Sequence, residues 1–401
     1  MEDNVQHPNP VYAHLHAVLL FVGCLLYGLF GSPTPDSLGV HDVLIGVCFI
    51  LSIGFARSVQ AVSVPQNQKF WKSAGQILLI YGLSVPFIIA AVRGYHLTQI
   101  SRDVIPFLFL FLPLFLLPIL RVRTQYFRSF LFVVLLIGLL FSLRSLLIRY
   151  GFSCAFWCRD ELLYLENMPT VLFTALYLIG SALRVMARGL TLDHFLTFVI
   201  LISLSFLPLA AMIETSQRAS LGAVVLYALI IQGVEIYRSP VRGLNVLFIF
   251  VFVLGVIDLS FSTIFDTLSA KTQSVGLNMR PQETMAVWDV VTADPLAFLF
   301  GIGWGGHFFN PAVGGLSVNF THNFFTSFLL KTGFCGVVLA FFYIVGLLER
   351  LIRVIFLEPV IGLAMLAPIL IDVIFYASFK SLDFGLMLLM VSSSLVYLRR
   401  S

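Results

Sequence analysis

Stretches of apolar residues long enough to cross a lipid bilayer recur along almost the whole chain. They lie near 11–31, 40–56, 74–92, 104–121, 127–149, 169–188, 195–213, 219–237, 243–262, 324–348, 358–377 and 382–398. A helix needs about 20 residues to span the hydrocarbon core, and an isolated strand cannot span it because its backbone groups would stay unpaired. We therefore predict an all-α polytopic integral membrane protein with about twelve transmembrane helices. Residues 1–401 should form a single membrane domain.

Composition agrees with this fold class and excludes a water-soluble protein. Only 11% of the residues are charged and 59% are hydrophobic, and the mean hydropathy is +0.98. A soluble domain carries about 25% charged residues, so this chain cannot build a solvated surface. Membrane lipids are therefore expected partners. Since no Lys/Arg-rich tract is present, we expect no nucleic-acid binding.

The placement of basic residues predicts the orientation. Alternate connections between the apolar stretches are rich in arginine and lysine, and the intervening connections are poorer. The basic set is Arg57, Lys69, Lys72, Arg121, Arg123, Arg128, Arg184, Arg188, Arg238, Arg242, Arg350, Arg353, Arg399 and Arg400. Because basic loops stay in the cytoplasm, both termini are predicted to be cytoplasmic.

One long polar interruption, 263–322, precedes the tenth predicted helix and contains Arg280, His307 and His322. The predicted orientation places it on the outer face of the membrane, which in a Gram-negative cell is the periplasm. If the protein does chemistry, most of the machinery is expected in this long periplasmic loop.

Within the loop, 281–291 is predicted to form a short amphipathic helix. Met285, Trp288 and Val291 would share one face, while Glu283 would turn away. Such a helix is expected to lie along the membrane surface with Trp288 at the level of the lipid headgroups.

Two arginines are predicted to lie on the outer face. Arg218 sits in a short connection between two apolar stretches, and Arg280 begins the amphipathic helix. Because guanidinium groups make paired hydrogen bonds to phosphate oxygens, the two together could hold a diphosphate. The alternatives are a headgroup anchor or a salt bridge to Glu214 for Arg218, and a surface cation for Arg280. Arg144, near the outer end of the fifth stretch, could widen a cationic pocket.

His322 and Asn323 lie where the tenth predicted helix begins. Histidine can accept a proton near neutral pH, and Asn323 could orient a substrate hydroxyl or fix the ring. The alternative is a purely structural interfacial histidine. His307, in Gly-rich surroundings, is the weaker candidate.

The run from Gly301 through Gly303 and Trp304 is expected to approach a substrate closely, because glycine permits tight turns. The alternative is a plain loop. The run lacks the context of a nucleotide-binding fingerprint. No metal-ligand spacing is visible, so we expect no metal and no cofactor. Cys154 and Cys158 have a spacing compatible with either a disulfide or two free thiols.

Three motifs in order resemble the O-antigen ligase and O-antigen polymerase superfamily of bacterial envelope glycosyltransferases. The motifs are Thr215-Ser-Gln-Arg218-Ala-Ser, then Arg280 through Trp288 followed by Asp294-Pro295 and Gly301-Ile-Gly-Trp-Gly, then Thr321-His322-Asn323 with Lys331-Thr-Gly333 and Gly336. The topology, with one large outer loop before the tenth helix, is similar along the whole chain. Gln217 separates Ser216 from Arg218, whereas many members of the family have Ser-Arg directly.

The resemblance implies an inverting glycosyltransferase of the bacterial inner membrane. Its donor would be an oligosaccharide on undecaprenyl diphosphate, its acceptor a hydroxyl, and it would need neither metal nor nucleotide. Arg218 and Arg280 would stabilise the leaving diphosphate, and His322 would take the acceptor's proton. We expect polymerisation of lipid-linked repeat units of O-antigen or exopolysaccharide. The alternatives are a ligase that attaches the glycan to lipid A–core and a transporter or flippase of lipid-linked oligosaccharide.

Overall fold

A computed structural model describes residues 10–31, 39–63, 70–152, 167–189, 191–215, 217–241, 243 and 279–399. Within these ranges the chain is a bundle of helices with one small hairpin. The helices are α1 (Pro10–Phe30), α2 (Val40–Ile53), α3 (Phe55–Ser63), α4 (Phe70–Val92), α5 (Leu97–Phe109), α6 (Leu112–Leu120), α7 (Thr124–Arg149), α8 (Pro169–Arg188), α9 (Leu192–Glu214), α10 (Arg218–Arg238), α11 (Arg280–Thr292), α12 (Pro295–Phe300), α13 (Phe324–Leu357), α14 (Pro359–Ile374) and α15 (Leu382–Leu398). The hairpin pairs β1 (Phe308–Asn310) with β2 (Leu316–Val318) in antiparallel register.

The prediction of an all-α polytopic membrane protein is confirmed. Seven helices are long and apolar enough to cross a bilayer, and the bent pair α5–α6 can serve as an eighth span. Three shorter apolar helices, α2, α14 and α15, lie among them. The count of twelve spans is not confirmed. The predicted ninth span, 243–262, falls almost wholly outside the described residues.

The stretch predicted as one helix over 104–121 is instead two helices, and this prediction was wrong in detail. The chain bends by 40° between α5 and α6. Pro113 follows the break, and it has no backbone N–H with which to continue the helical hydrogen bonds. The Tyr343 hydroxyl donates to the Leu110 carbonyl at 2.7 Å, so the break is stabilised from α13.

Two helices, α8 and α15, form the centre of the bundle. Every residue from Leu382 to Leu395 in α15 is buried. Both helices match the predicted 169–188 and 382–398. Asp383, inside this centre, accepts hydrogen bonds from Tyr27 at 3.0 Å and Thr170 at 2.8 Å, so its polar oxygens have protein partners.

The described part of the polar interruption is more ordered than a plain loop. It contains α11, α12 and the β1–β2 hairpin, all packed at the end of α13 that begins with Phe324. This end of the bundle is called the loop end below. Asp294 lies between α11 and α12 and is the N-cap of α12, because its side chain accepts a hydrogen bond from the Leu296 N–H at 3.0 Å. Residues 263–278, the first part of the interruption, lie outside the described residues.

The amphipathic helix is present as α11, but its buried face differs from the prediction. The buried residues are Glu283, Val287 and Val291, while Met285 and Trp288 are exposed. The prediction that Glu283 turns away was therefore wrong. Glu283 can be buried because His322 and Asn310 supply hydrogen bonds to its carboxylate.

Candidate functional site

Arg280 and Arg218 both act on Tyr376, which lies just beyond the end of α14. The guanidinium carbon of Arg280 lies 5.9 Å from the centre of the Tyr376 ring. The pKa of Tyr376 is raised overall, and burial is the largest cause. The Asp372 charge also raises this pKa, whereas the Arg280 and Arg218 charges lower it. Each arginine is the first residue of its helix, Arg280 of α11 and Arg218 of α10. Arg280 therefore contacts the ring of Tyr376 at the loop end, and Arg218, from a distant segment, acts on the same tyrosine through its charge.

His322 is hydrogen-bonded to Glu283, a residue that the sequence analysis did not assign to the site. The Nδ1 atom of His322 lies 3.2 Å from both carboxylate oxygens of Glu283. The His322 backbone N–H also donates to these oxygens, at 3.2 and 3.3 Å. The His322 side chain is 29% exposed and that of Glu283 is 3% exposed. The histidine thus faces outward while its carboxylate partner lies behind it.

The carboxylate of Glu283 is held in its charged form. Burial alone raises the pKa of Glu283, but the hydrogen bond and charge of His322 and the hydrogen bond from Asn310 outweigh it and lower the pKa overall. The Asn310 amide, at the end of β1, donates to Glu283 at 2.6 Å. The rings of Phe320 and His322 meet edge to face at 5.7 Å, which further limits rotation of the imidazole.

Asn323, the residue after His322, holds the backbone at this point in place. Its side-chain oxygen accepts from the backbone N–H groups of Phe325 and Thr326, at 2.8 and 3.3 Å, so Asn323 is the N-cap of α13. Its amide nitrogen donates to the Ile374 carbonyl at 3.2 Å. Asn323 therefore joins the start of α13 to the end of α14, beside Tyr376. Its contact with a substrate stays a prediction.

The residues Arg218, Arg280, Glu283, His322 and Tyr376 are called the arginine–histidine cluster below. Four separate segments supply them: the start of α10, α11, the residues before α13 and the residues after α14. Of the three residues predicted to act together, Arg218 and Arg280 both lower the pKa of Tyr376, and His322 is paired with Glu283 in the first turn of α11, the helix that Arg280 begins.

The residues 301–306, called the glycine turn below, are buried against α13. A break in α13 receives this turn, because Gly333 has φ +67° and ψ −170°. The Leu330 carbonyl accepts from Ile302 N–H at 2.8 Å, and the Lys331 carbonyl accepts from Gly303 N–H at 3.1 Å. A Cβ added at Gly301 would lie 2.4 Å from the backbone of Lys331. Glycine is required here because two backbones touch.

A backbone carbonyl of α4 and a side chain of α5 also hold the glycine turn. The Trp304 indole N–H donates to the Gly82 carbonyl at 2.7 Å, and the Gly305 N–H donates to Asp103 at 2.7 Å. Asp103 also forms a buried ion pair with Lys331 at 2.6 Å. These contacts give Gly301, Gly303 and Trp304 a packing function. Their predicted contact with a substrate stays a prediction.

A cavity of about 30 Å³ lies beside the glycine turn, lined by Asp103, Lys331, Lys380 and Trp304 among others. This volume accommodates one or two water molecules and is too small for a sugar. None of Arg218, Arg280 and His322 lines it.

Arg144, also predicted to contact substrate, is buried in the helix bundle. It donates to the carbonyls of Gly28 and Gly31, at 3.0 and 3.1 Å, at the end of α1. A cation at a helix C-terminus satisfies free carbonyls there. Glu214 has an ion pair with Arg149 at 3.5 Å and accepts from the Tyr150 hydroxyl at 2.8 Å. The contact of Arg144 with a substrate stays a prediction.

Among the described residues, no group of three or more His, Cys, Asp and Glu is arranged to hold a metal ion. His307 is exposed, beyond the glycine turn. Cys154 and Cys158 lie outside the described residues, so the choice between a disulfide and free thiols stays open.

Two members of the cluster, Glu283 and Tyr376, were missed by sequence reasoning. A signal for Glu283 was present, because it shares a helix face with Val287 and Val291 at a spacing of four residues. The prediction instead used Met285, Trp288 and Val291, at a spacing of three. For Tyr376 the sequence has no comparable signal, because its partners lie far away along the chain.

No protein-family model matches the chain, and no curated protein has detectable sequence similarity to it. The resemblance to the O-antigen ligase and polymerase superfamily therefore rests on the motifs and the predicted topology and stays a prediction.

Proposed function

We propose that this protein is an inverting glycosyltransferase that moves a glycan from undecaprenyl diphosphate to an acceptor hydroxyl. One observation carries the proposal: a histidine paired with a carboxylate lies at the same end of a bundle of apolar helices as Tyr376, whose pKa the Arg280 and Arg218 charges both lower. This combination supplies a proton acceptor and positive charge beside the lipid phase, where a lipid-linked diphosphate would lie.

The arginines would stabilise the leaving group. When the bond between the sugar and the diphosphate breaks, its electron pair moves to a phosphate oxygen and negative charge grows there. Guanidinium groups bind such oxygens in pairs, and fixed positive charge at that point lowers the barrier. Arg280 and Arg218 are the groups that we assign to this task.

His322 would act on the acceptor. The acceptor hydroxyl is a poor nucleophile at neutral pH, so removal of its proton as it attacks the anomeric carbon accelerates the reaction. The proton passes to the imidazole, and the new glycosidic bond forms as the bond to diphosphate breaks. The energy resides in the sugar–diphosphate bond, so no nucleotide is consumed.

The exposed apolar side chains at the loop end suit contact with a membrane and a lipid-linked donor. The Trp288 ring meets the Phe298 ring at 5.9 Å, and the Phe298 ring stacks on the Phe334 ring at 5.7 Å. Trp288 and Phe334 are both exposed. With the orientation that the basic loops predict, the loop end would face the periplasm of a bacterial inner membrane.

The acceptor defines two versions of the proposal. We propose polymerisation, in which a lipid-linked repeat unit accepts the growing chain; in the ligase alternative, lipid A–core accepts it. A strain that lacks the gene separates them, because loss of a polymerase leaves single repeat units and loss of a ligase leaves full-length chains on the lipid carrier.

A transporter of lipid-linked oligosaccharide is the second candidate, since charged side chains are buried within the bundle. Lys331 and Asp103 form a buried ion pair, and Asp383 is buried as well. Buried charge in a membrane domain is a general sign of function. These charged groups are paired with other residues of the protein. They therefore support a transport function less strongly than the outward-facing His322 supports glycan transfer. Loss of a flippase would leave lipid-linked units on the cytoplasmic face.

The decisive test replaces His322 in the complemented deletion strain. We expect His322→Ala to lower glycan transfer by about 10²–10⁴, the usual contribution of a general base. His307→Ala is the matched control, because His307 is exposed in the same segment and lies outside the arginine–histidine cluster. The glycan ladder and the amount of protein in the membrane are both measured. Wild-type transfer by His322→Ala at normal protein levels would refute the proposal.

A further inference from the structure

The carboxylate of Glu283 accepts hydrogen bonds from Asn310, at the end of β1, and from His322, just before α13. We propose that Glu283 is a positioning residue: it fixes His322 in the tautomer with hydrogen on Nδ1, so that Nε2 takes the proton from the acceptor hydroxyl. This inference rests on the proposed function and deepens it by assigning the atom that accepts the proton.

The geometry determines the direction of the hydrogen bond. A charged carboxylate can only accept, so the short contacts of Nδ1 with both Glu283 oxygens, each 3.2 Å, require a hydrogen on Nδ1. A neutral imidazole then has its free lone pair on Nε2. In the part of the chain that the structure describes, no hydrogen bond engages Nε2. This atom is thus available to an acceptor at the loop end.

Hydrogen bonds hold the Glu283 carboxylate in place more rigidly than a surface carboxylate would be held. Asn310 donates to it at 2.6 Å, and the His322 backbone N–H donates at 3.2 Å. Because three donors from two segments converge on one carboxylate, its position is fixed independently of any substrate. The ring of His322 cannot turn over without losing both Nδ1 contacts.

The reaction places a positive charge next to Glu283. The acceptor O–H proton moves to Nε2, the acceptor oxygen bonds to the anomeric carbon, and the diphosphate leaves with the electron pair of the broken bond. The imidazolium formed in this step lies against the Glu283 carboxylate, which stabilises it. The proton then leaves Nε2 for solvent, and the histidine returns to its starting form.

Other charged groups face this pair and belong to the same electrostatic environment. Arg280 begins the helix that carries Glu283, and Lys380 lies on the opposite side, near Asp103. Burial lowers the pKa of Lys380, the Asp103 charge raises it, the Arg102 charge lowers it and the Glu283 charge raises it, with a net decrease. The activity of a Glu283 variant should therefore be compared with that of the wild type at several pH values.

The test replaces Glu283 by Gln in the full-length protein, with lipid-linked glycan extracted from the deletion strain as substrate. A glutamine amide can donate to Nδ1 and so favours hydrogen on Nε2, the tautomer that cannot accept the proton there. We expect kcat to fall by about 10²–10⁴ with little change in KM. Glu283→Asp, which restores the carboxylate, should recover part of kcat.

A direct measurement of the tautomer separates positioning from mere folding. In ¹⁵N-histidine-labelled protein, with His322→Ala used to assign the signal, wild-type His322 should carry hydrogen on Nδ1 and the Glu283→Gln variant should carry it on Nε2. Asn310→Ala is the control for stability, since it removes a bond to Glu283 and leaves the contact with Nδ1; it should lower the unfolding temperature and keep the wild-type tautomer.

Two results would overturn the inference: an unchanged tautomer in Glu283→Gln, or wild-type kcat in that variant. If His322→Ala is inactive while Glu283→Gln has wild-type kcat, the inference fails and the proposed function stands. Wild-type activity of His322→Ala would refute the proposed function itself.

Discussion

The glycine turn and the His322–Glu283 pair of the arginine–histidine cluster lie in one polar segment, yet they use their polar groups in opposite ways. In the glycine turn, backbone N–H groups and the Trp304 indole are hydrogen-bonded to other parts of the protein. In the cluster, His322 faces outward with its carboxylate partner behind it. The motif residues therefore divide into those that build the loop end and those that the proposed function assigns to the substrate.

The two regions also differ in how their charged side chains are arranged. Asp103 and Lys331 neutralise each other in the interior beneath the glycine turn, at 2.6 Å. Arg218 and Arg280 instead both lower the pKa of Tyr376, and under the proposed function they would bind a diphosphate. The buried pair therefore has a structural role, whereas the two arginines are assigned to the substrate.

The largest expected effect tests the interior pair. Asp103→Ala would leave the Lys331 charge buried without its partner, at a cost of about 3–5 kcal/mol in the free energy of unfolding. Thermal unfolding of the detergent-solubilised protein measures this loss. Asp289→Ala is the control, because Asp289 is an exposed carboxylate on α11. Equal unfolding temperatures for the two variants would contradict a structural role for the pair.

The next effect tests the cluster and should appear in activity alone. Arg280→Ala should lower kcat by about 10²–10³, the cost of removing one group that stabilises charge in the transition state. Its unfolding temperature should stay close to wild type, since its contact with Tyr376 is a single half-exposed one. Arg93→Ala removes an exposed arginine after α4, at the same end of the bundle, and should leave glycan transfer unchanged. If Arg280→Ala unfolded at physiological temperature, Arg280 would have a structural role, as the residues of the glycine turn do, and the contrast between the two regions would be wrong.

A smaller effect compares two glycines with similar backbones. Gly301 has φ +79° and Gly314 has φ +73°, so alanine is strained at both positions. Only at Gly301 would the new Cβ meet backbone, at 2.4 Å, while the space around Gly314 is open. We therefore expect Gly301→Ala to destabilise the protein by about 1–3 kcal/mol more than Gly314→Ala. Chemical denaturation of both variants measures the difference, and equal stabilities would show that the glycine turn is not tightly packed.

The smallest effect concerns Trp304. Trp304→Phe removes the N–H that donates to Gly82 and should cost about 1 kcal/mol of stability. Glycan transfer should fall only in proportion to the folded protein. A large loss of kcat at wild-type stability would instead move Trp304 into the substrate site, as the motif alone predicted.

Much of the fold could be predicted, and the reason is physical. The segments 169–188 and 382–398 match α8 and α15, because apolar length sets the extent of a membrane helix. The bend near Leu110 was missed, since a break inside an apolar stretch depends on partners such as Tyr343 from another helix.

The candidate site could be predicted only in part. Arg218 and His322 stand out as polar residues at the ends of apolar stretches, and Arg280 stands out at the start of the amphipathic helix. Glu283 was assigned to the wrong face, because a carboxylate is normally exposed unless donors surround it. Those donors, Asn310 and His322, lie 27 and 39 residues away along the chain.

The sequence by itself determined that this chain is a bundle of membrane helices, because lipid offers unpaired backbone groups no hydrogen-bond partner and so leaves few alternative structures. The tertiary structure decided which polar groups are partnered and which are free to act. Asp103 meets Gly305 across 202 residues, and Trp304 meets Gly82 across 222. Pairings over such distances depend on how the helices pack together, and local sequence patterns do not encode that packing.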